Sequence, residues 1–249
     1  MVSTSARRAC PGGDAAAAAH AAESGISIVI PVLEEAAIVS AALAALAPLR
    51  AAGAELIVVD GGSRDGTAEA ARSGADQVIA GPRGRARQMN AGAAAARGAV
   101  LLFLHVDTML PPGALAAIDA ALRSGPRPRA WGRFDVRITG RPRMLKVVAT
   151  LMNARSRWTG IATGDQAIFV TRSAFERIGG FPEQPLMEDI ELSRRLRGES
   201  APACLRLRVT TSGRRWEARG TWRTILLMWR LRLLYALGVA PERLARSYR

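Results

Sequence analysis

The residues of this chain that are best suited to chemistry are acids placed where strands and helices are predicted to begin or end. Asp60 follows the apolar run 55–59, Asp107 follows the apolar run 100–104, and the pair Glu188-Asp189 opens a predicted helix. Open α/β sheets bind ligands beyond the carboxyl ends of their strands. Carboxylate oxygens suit Mg²⁺ or Mn²⁺, which usually share their coordination with a substrate's phosphates. The pattern therefore predicts a divalent cation, Mg²⁺ or Mn²⁺, that holds a phosphorylated substrate at this edge.

The stretch around Asp107 has two interpretations at this point. Residues 100–110 read VLLFLHVDTML, and the first five show no apolar–polar alternation, which indicates a strand buried on both faces. Asp107 then lies either at the mouth of the sheet as a ligand or only at the cap of a helix that begins near Pro111. His105 precedes it by two residues and is the second candidate ligand.

Several enzyme classes are disfavoured by missing motifs. No G-x-G-x-x-G follows a predicted strand and no G-x-x-x-x-G-K-[ST] occurs, which argues against nicotinamide enzymes and P-loop proteins. No G-x-S-x-G elbow is present, so an α/β-hydrolase is disfavoured. His20 and His105 are the only histidines, which nearly excludes histidine-rich metal sites and histidine triads. The acids at the strand ends are therefore the remaining candidates for catalytic or metal-binding residues.

The elements that position these acids alternate between strand and helix in the first half of the chain. Strands are predicted at 26–32, interrupted at Pro31, and at 55–59, 77–80 and 100–104; helices are predicted at 34–46, closed by Pro48, and at 67–73 and 84–97. Strand–helix alternation with short connections indicates an α/β fold, with a mostly parallel central sheet flanked by helices.

The second half of the chain is less regular. Helices are predicted at 111–122, 144–155, 172–178 and 187–197, and strands at 131–138, as an edge or antiparallel strand, and at 166–171. The acids that open the helix at 187–197 also suit its dipole, so a purely structural role for Glu188 and Asp189 is open at this point.

Composition limits the cellular setting. The chain has 249 residues and a net charge of +14, with Lys146 as its only lysine, and its last 46 residues alone carry eleven arginines against two glutamates. Cys10 and Cys204 are too few for a disulfide framework, which suits a reducing compartment. No apolar run reaches the roughly 20 residues needed to span a bilayer. Residues 1–24 lack the apolar core of a signal peptide and are predicted to be a disordered tail.

Six segments in order resemble a family 2 glycosyltransferase with the GT-A fold. Each is weak alone, but their common order over residues 25–200 is specific. The segments are IPVLEE (30–35), VVDGGSRDGT (58–67), GRARQMNAG (84–92), FLHVD (103–107), GGFPE (179–183) and EDIEL (188–192). The whole chain also resembles the short bacterial subgroup associated with radical-SAM proteins, some members of which are assigned to arsenosugar biosynthesis.

The resemblance implies a nucleotide site on the first half of the chain. Asp60 matches the acid that hydrogen-bonds the uracil-type base, and Pro31 and Glu35 match the other side of the base pocket. Arg85 matches a basic residue near the nucleotide, and Asn90 matches the asparagine of the following helix.

The resemblance also implies a reaction. Asp107 matches the last acid of the D-x-D motif and would ligate the metal on the diphosphate, whereas Asp189, paired with Glu188, matches the general base that deprotonates the acceptor hydroxyl. The expected reaction is an inverting sugar transfer from a nucleotide-sugar, in the first place a UDP-sugar.

The chain departs from the family pattern at two positions. His105 replaces the first acid of D-x-D, and its imidazole could bind the metal, bind a ribose hydroxyl or serve a structural role. Gly61 replaces a second aspartate after Asp60. Both changes leave the donor sugar open.

The basic C-terminal extension, residues 206–249, follows the predicted catalytic domain at 25–205. Its segment SGRRW (212–216) resembles the Q-x-x-R-W motif, with Ser212 in place of glutamine, which implies that Arg215 and Trp216 lie on the acceptor side. Residues 221–237 carry an apolar stripe interspersed with arginines. In one interpretation the stripe packs on protein, either the catalytic domain or a second subunit. In the other it belongs to an interfacial helix that contacts anionic lipid.

The leading hypothesis is therefore a metal-dependent glycosyltransferase that acts on a hydroxyl acceptor, either a small molecule or a lipid-linked one. We expect it in the cytoplasm, free or at the inner face of the plasma membrane. The alternative is a catalytically inactive GT-A domain that serves as a binding or scaffold protein at an anionic membrane surface. A sugar nucleotidyltransferase would need a glycine- and arginine-rich loop where the chain has PVLEE (31–35). Nucleic acid is not an expected partner, because no recognisable nucleic-acid module is present.

Overall fold

An eight-stranded sheet in the order β3-β2-β1-β4-β7-β6-β8-β5 forms the centre of the computed structural model, which describes residues 25–123 and 128–248. The predicted tail, residues 1–24, lies outside the described residues. The strands are β1 Ile26–Val32, β2 Glu55–Asp60, β3 Gln77–Ala80, β4 Val100–Phe103, β5 Thr108–Met109, β6 Trp131–Thr139, β7 Ile168–Thr171 and β8 Ala203–Ser212.

Helices cover both faces of this sheet. They are α1 Ala36–Ala51, α2 Thr67–Ala71, α3 Arg85–Ala95, α4 Ala114–Arg123, α5 Met144–Thr159, α6 Arg172–Arg177, α7 Glu188–Glu199, α8 Arg214–Arg219, α9 Thr221–Ala236 and α10 Pro241–Tyr248, with a 3-10 turn at Gly164–Gln166. Successive residues of β1 belong to different cores, because Ile28 and Ile30 pack on one face and Val29 on the other. The predicted α/β class is confirmed.

The two halves of the sheet are built differently. Strands β3, β2, β1 and β4 are parallel, as predicted. Strand β7 is antiparallel to both β4 and β6, while β8 is parallel to β6 and antiparallel to β5. The sheet is therefore mixed, and its antiparallel pairings begin where β7 joins β4.

Strand β6 is antiparallel to β7, as predicted, but it is not an edge strand. It lies between β7 and β8 and is buried from Trp131 to Val136. Strand β8 was not predicted, although Leu205 and Leu207 alternate with Arg206 and Arg208, a pattern that favours a strand. It also runs across the predicted domain boundary after residue 205.

Two predicted interruptions by proline are wrong. Strand β1 continues through Pro31, which is in register with Val59 of β2; β4 pairs with β1 only as far as Val29, so the missing N–H of Pro31 is tolerated there. Helix α1 continues through Pro48 to Ala51. Pro48 lies in the last turns of α1, where it removes one helical hydrogen bond while Leu46 and Leu49 still pack on the core.

Helix α9 packs with a different face from the one the sequence pattern suggested. Trp222, Leu226, Trp229, Leu233 and Leu237, which make up most of the predicted stripe, are exposed. Leu231 and its neighbours on the opposite side contact the protein instead. The interpretation in which the stripe packs on the catalytic domain is therefore wrong for these five residues.

Helix α3 approaches the sheet closely at Gly92. A Cβ atom there would lie 2.3 Å from Cγ1 of Val29 and 2.9 Å from Cγ2 of Val59. We expect Gly92→Ala to lower the free energy of unfolding by about 1–3 kcal/mol, because overpacking outweighs the better helix propensity of alanine.

Chemical denaturation measures this effect, and helix α7 supplies the matched control. Gly198 is an exposed helical glycine whose added Cβ would meet nothing within 4 Å. Gly198→Ala should therefore leave the stability unchanged or raise it by up to about 1 kcal/mol. Equal stability of the two variants would show that α3 can move away from the sheet.

Candidate active site

The turn after β2 is organised by Asp60. Its carboxylate accepts hydrogen bonds from the backbone N–H groups of Gly62, at 3.2 Å, and Ser63, at 3.0 Å, and from the Ser63 hydroxyl at 2.5 Å. The side chain is buried at the carboxyl end of its strand. Asp60 therefore lies where the sequence predicted a base-binding acid, a role that stays a prediction. A nucleotide base at this position would have to bind carboxylate oxygens of Asp60 that already accept hydrogen bonds from the turn.

A second loop, after β1, is fastened to the turn that contains Asp60. The backbone N–H of Glu34 donates to the Ser63 hydroxyl at 2.9 Å, and that of Glu35 donates to the Thr67 hydroxyl at 2.8 Å. Glu34 adopts a left-handed backbone with φ of 55°, which turns the chain sharply. These contacts bring Pro31, Glu35 and Asp60 to one edge of the sheet, as the predicted base pocket requires.

Gln88 of α3 joins the ends of β1 and β2 and was not recognised in the sequence. Its buried amide nitrogen donates to the carbonyl oxygens of Val32, at 2.7 Å, and Val59, at 2.9 Å. A Cβ atom on Gly61 would lie 3.0 Å from this amide. A side chain at position 61 would therefore require the Gln88 amide to move. One glutamine in an alanine-rich helix gives no signal of this role.

Asp107 lies between β4 and β5 with its side chain partly buried. Its carbonyl oxygen accepts a hydrogen bond from the N–H of Ser212 at 3.2 Å, whereas its carboxylate makes no hydrogen bond or ion pair within residues 25–123 and 128–248. Helix α4 begins only at Ala114, and its first turn is bonded to the carbonyl of Pro111. Asp107 therefore does not cap this helix.

The negative charge of Asp107 acts on the Glu35 carboxyl group. Burial raises the pKa of Glu35 above its usual value, and Asp107 raises it further, while Arg214 and Arg215 oppose the shift. Arg214 lies 3.9 Å from the Glu35 carboxylate. The C-terminal segment thus brings two arginines to the same region as the predicted base pocket and metal ligand.

The predicted Mg²⁺ or Mn²⁺ site can be compared with the carboxylates that the structure has in this region. Within the described ranges, no group of three or more His, Cys, Asp and Glu residues could hold an ion by itself. An unengaged Asp107 carboxylate fits Mg²⁺ or Mn²⁺, because such ions are often bound through one or two carboxylates and complete their shell with substrate phosphates. The metal-ligand role of Asp107 therefore fits this geometry and stays a prediction.

The pair Glu188-Asp189 begins helix α7 and borders a small cavity. The carboxylate of Asp189 accepts hydrogen bonds from the N–H of Gly164, at 2.9 Å, and from that of Ile190, at 2.8 Å. The cavity brings polar groups from four segments of the chain together with apolar ones. It is lined by Arg85, Met89, Phe103, His105, Gly164, Ile168, Phe181, Glu188 and Asp189.

Both acids of the pair are shifted towards the protonated form. Burial raises the pKa of Glu188, and the charge of Asp189 adds to this. Burial also raises the pKa of Asp189, against the hydrogen bonds from Gly164 and Ile190 and the charge of Arg85. Arg85 lies 3.9 Å from Glu188. A carboxylate whose pKa is raised in this way is suited to accept a proton near neutral pH.

His105 lies with this pair rather than with Asp107. Its Nδ1 atom is 3.3 Å from an Asp165 oxygen, and its ring packs so closely on Gly164 that a Cβ atom there would be 2.6 Å away. Its Nε2 atom is buried without a hydrogen-bond partner among the described residues. The metal-ligand role of His105 stays a prediction. Asp165 was not recognised in the sequence, where G-D-Q carries no known signature.

Arg215 connects the two regions. The charge of Arg215 lowers the pKa of Glu35 and that of Asp165. Burial alone would raise the pKa of Asp165, but His105, Arg85 and Arg215 together hold it below its usual value. The Arg215 guanidinium donates to the Tyr248 hydroxyl at 2.5 Å. Arg215 is therefore held by Tyr248 of α10, and its charge acts on both Glu35 and Asp165.

Two other predicted site residues have structural contacts. The Asn90 amide donates to the carbonyl of Phe181 and accepts from its N–H, both at 2.9 Å, and so fixes the Gly179-Gly180-Phe181 turn. The Trp216 side chain packs against the larger hydrophobic core. The nucleotide role of Asn90 and the acceptor role of Trp216 stay predictions.

Arg155 of α5 is a buried cation that sequence reasoning missed. Its Nε and Nη2 atoms are buried without a hydrogen-bond partner among the described residues. Burial lowers the pKa of Arg155, while Asp189 opposes this shift. A positive group thus lies on the side of Asp189 formed by α5.

Comparison with known proteins gives the family context of this geometry. The model of the family described as Glycosyl transferase family 2 matches residues 27–179, which is more than half of the chain. This segment includes β1 to β7 and therefore the base-pocket loops, Asp107 and the Asp165 turn. Among curated proteins the comparison found no match.

Three solved structures are similar in fold. A mannosyltransferase from Pyrobaculum calidifontis, in complex with GDP-Man and Mn²⁺, has a TM-score of 0.62 and 20% identity over 87% of this chain and 66% of its own. Glucosyl-3-phosphoglycerate synthase from Mycobacterium tuberculosis, with Mg²⁺ and UDP, has a TM-score of 0.56 and 19% identity over 78% and 73%. Mannosyl-3-phosphoglycerate synthase from Rubrobacter xylanophilus has a TM-score of 0.54 and 19% identity over 92% and 80%.

The chain spans slightly less than two thirds of the length of the Pyrobaculum enzyme. At these identities the likeness concerns the fold. The predicted GT-A architecture is confirmed, with a mixed sheet in place of the mostly parallel one that was expected.

Proposed function

Because the chain belongs to glycosyl transferase family 2, we propose that it moves a sugar from a nucleotide-sugar, in the first place a UDP-sugar, to a hydroxyl acceptor, with inversion at the anomeric carbon. The family makes the chain a glycosyltransferase; the donor, the stereochemistry and the residue roles are the proposal. Solved relatives in complex with UDP or GDP-Man and with Mg²⁺ or Mn²⁺ support the donor class and the cation.

The observation that carries this proposal is the environment of Asp189. Its carboxylate is fixed by two backbone N–H groups, has a raised pKa and borders a cavity with Arg85. A general base must be held in place and must have a proton affinity suited to the working pH. The two hydrogen bonds hold the Asp189 carboxylate in place and its raised pKa favours proton uptake, which supports this role; Glu188 beside it contributes to the electrostatics of the pair.

In the proposed reaction, Asp189 accepts the proton of the acceptor hydroxyl as its oxygen attacks the anomeric carbon. The bond between that carbon and the diphosphate oxygen breaks, and the nucleoside diphosphate leaves with the electron pair. Arg85 lines the cavity beside Asp189, and Arg215 acts on the charge of Glu35; both would oppose the negative charge that the leaving group gains. A divalent cation bound by Asp107 and the diphosphate would supply further neutralisation of that charge.

Nucleotide binding is the direct experiment. We expect UDP and UDP-sugars with Mn²⁺ to raise the melting temperature, and ADP, which carries the same diphosphate on another base, to do so less. Mass spectrometry of products from a donor screen then identifies the sugar. If no nucleotide changes the melting temperature with or without Mn²⁺, the transferase proposal is wrong. Nucleotide binding without turnover for any donor would favour the inactive scaffold protein.

The acid limb of the pH–rate profile tests the role of the catalytic pair. Because the pKa of Asp189 is raised, we expect turnover to fall at a higher pH than the ordinary aspartate value of about 3.9 would give. Arg85 lowers the pKa of both acids, so Arg85→Gln should move this limb to higher pH.

Turnover measured against pH for Arg85→Gln and Arg87→Gln provides the comparison. Arg87 lies on the same helix, is exposed and pairs with Glu183 at 3.1 Å. Its replacement should leave the limb unchanged. An acid limb that does not move in Arg85→Gln would assign the limb to a group other than Glu188 or Asp189.

The finer parts of the hypothesis stay predictions. These are the radical-SAM-associated subgroup, the cytoplasmic location, and the choice between a small and a lipid-linked acceptor. A glucosyl-3-phosphoglycerate synthase of similar fold was solved in complex with phosphoglyceric acid, a small molecule, which supports the first of the two acceptor classes.

A further inference from the structure

Helix α9 presents an uncovered apolar stripe. Trp222, Leu226, Trp229, Leu233 and Leu237 are each between 61% and 72% exposed. At 100° per residue these five positions fall within about 80° of the helix circumference. A contiguous set of large apolar side chains at such exposure marks an interaction surface rather than scattered surface residues.

The opposite side of α9 already has a partner. Thr224 and Leu231 are buried, and Leu227, Met228, Leu234 and Tyr235 pack into a cluster with Met187, Ile190 and Leu244. The Tyr235 hydroxyl donates to Glu191 of α7 at 3.4 Å. Helix α9 is therefore fixed on the protein through its inner face, and the stripe is left for another surface.

The edges of the stripe are basic. On the same helical projection, Arg223 and Arg230 lie along one edge and Arg232 along the other. Arg219, Arg223 and Arg230 also line a groove of about 480 Å³ that continues to Ser247 and Tyr248 of α10. An apolar stripe with tryptophans, bordered by cations, matches a surface with an apolar interior and anionic groups above it.

Two other occupants fit less well. A second copy of this chain, docked through the same stripe by a two-fold axis, would bring the arginine edges of both copies together. A bilayer span is not an option for α9, since no helix in residues 25–123 and 128–248 is long and apolar enough to cross a membrane. An anionic lipid surface accommodates the stripe and both edges at once.

We propose that α9 is an interfacial helix that binds anionic phospholipid membranes, with the stripe at the acyl boundary and the arginines on lipid phosphates. Helix α7 packs on the inner face of α9 through Met187 and Ile190, which flank Glu188-Asp189 in the sequence. The helix that carries Glu188 and Asp189 therefore lies behind the helix that would contact the membrane. This inference does not rest on the proposed transfer reaction.

Sedimentation with vesicles tests the inference, without donor or metal. We expect the full chain to pellet with phosphatidylcholine vesicles that contain phosphatidylglycerol and much less with phosphatidylcholine alone. Trp229→Ser combined with Leu233→Ser should weaken binding by about tenfold or more. Arg223→Glu combined with Arg230→Glu should remove the preference for anionic vesicles. All four side chains are exposed, so the variants should keep the melting temperature of the parent.

Trp158 of α5 supplies the matched control, because it is 93% exposed and lies outside the stripe. Trp158→Ser should bind vesicles as the parent does. The inference is overturned if the parent does not pellet with anionic vesicles, or if Trp158→Ser loses as much binding as the stripe variant. Light scattering that shows a dimer in the parent, a monomer in the stripe variant and no vesicle binding would instead assign the stripe to a second copy.

Discussion

Asp189→Asn is expected to lower turnover by about 10²–10⁴-fold and to leave nucleotide binding nearly unchanged. The substitution keeps the size of the side chain and an oxygen that can accept the hydrogen bond from Gly164 or Ile190. It removes the proton acceptor on which the proposed attack of the acceptor hydroxyl depends. Steady-state kinetics combined with the UDP-dependent melting shift separates the two effects.

Glu191→Gln is the control on the same helix. Glu191 lies one turn or less from Asp189 but forms surface ion pairs with Arg194, at 3.7 Å, and Arg195, at 3.4 Å. Such pairs contribute little, so turnover should be retained. If Asp189→Asn keeps the activity of the parent, Asp189 is not the base, and Glu188→Gln becomes the next variant to measure.

Asp107→Ala is expected to abolish the part of the UDP-dependent melting shift that requires Mn²⁺. Asp107 is a partly buried carboxylate without another hydrogen-bond partner among the described residues, so its removal should cost little stability. A cation that neutralises the leaving diphosphate contributes several kcal/mol to the transition state. We expect kcat/KM to fall by about 10²-fold or more, in line with a loss of about 3 kcal/mol.

Asp119→Ala provides the comparison for this variant. Asp119 is an exposed aspartate of α4 that pairs with Arg123. It should change neither the melting shift nor the rate. An unchanged Mn²⁺ dependence in Asp107→Ala would place the cation on other residues, and His105→Ala would then be the variant to test.

Much of the first half of the fold follows from its sequence, and much of the second half does not. The runs at β1, β2 and β4 are apolar on both faces, which indicates buried parallel strands whatever lies beside them. Strand β8 carries Leu205 and Leu207 in alternation with Arg206 and Arg208, and its pairing with β6 depends on residues about 70 positions away. Pattern within a short window contains no information about such a partner.

The candidate site divides in the same way. Acids at strand ends point to the mouth of the sheet because parallel strands share one carboxyl edge, and the structure has Asp60 and Asp107 at that edge. Gln88, Asp165 and Arg155 were missed because their roles arise from tertiary contacts. Gln88, for example, bonds carbonyls 29 and 56 residues away.

The pairing of β5 with β8 has a consequence for the order in which the chain folds during its synthesis. Thr108 pairs with Thr211, and the Ser212 N–H holds the carbonyl of Asp107. At about 5–20 residues per second, a ribosome makes Thr211 about 5–20 s after Thr108. During that time the loop of Asp107 has no strand β8 to dock on. The loop of Asp107 should therefore reach its final position only after β8 has been made.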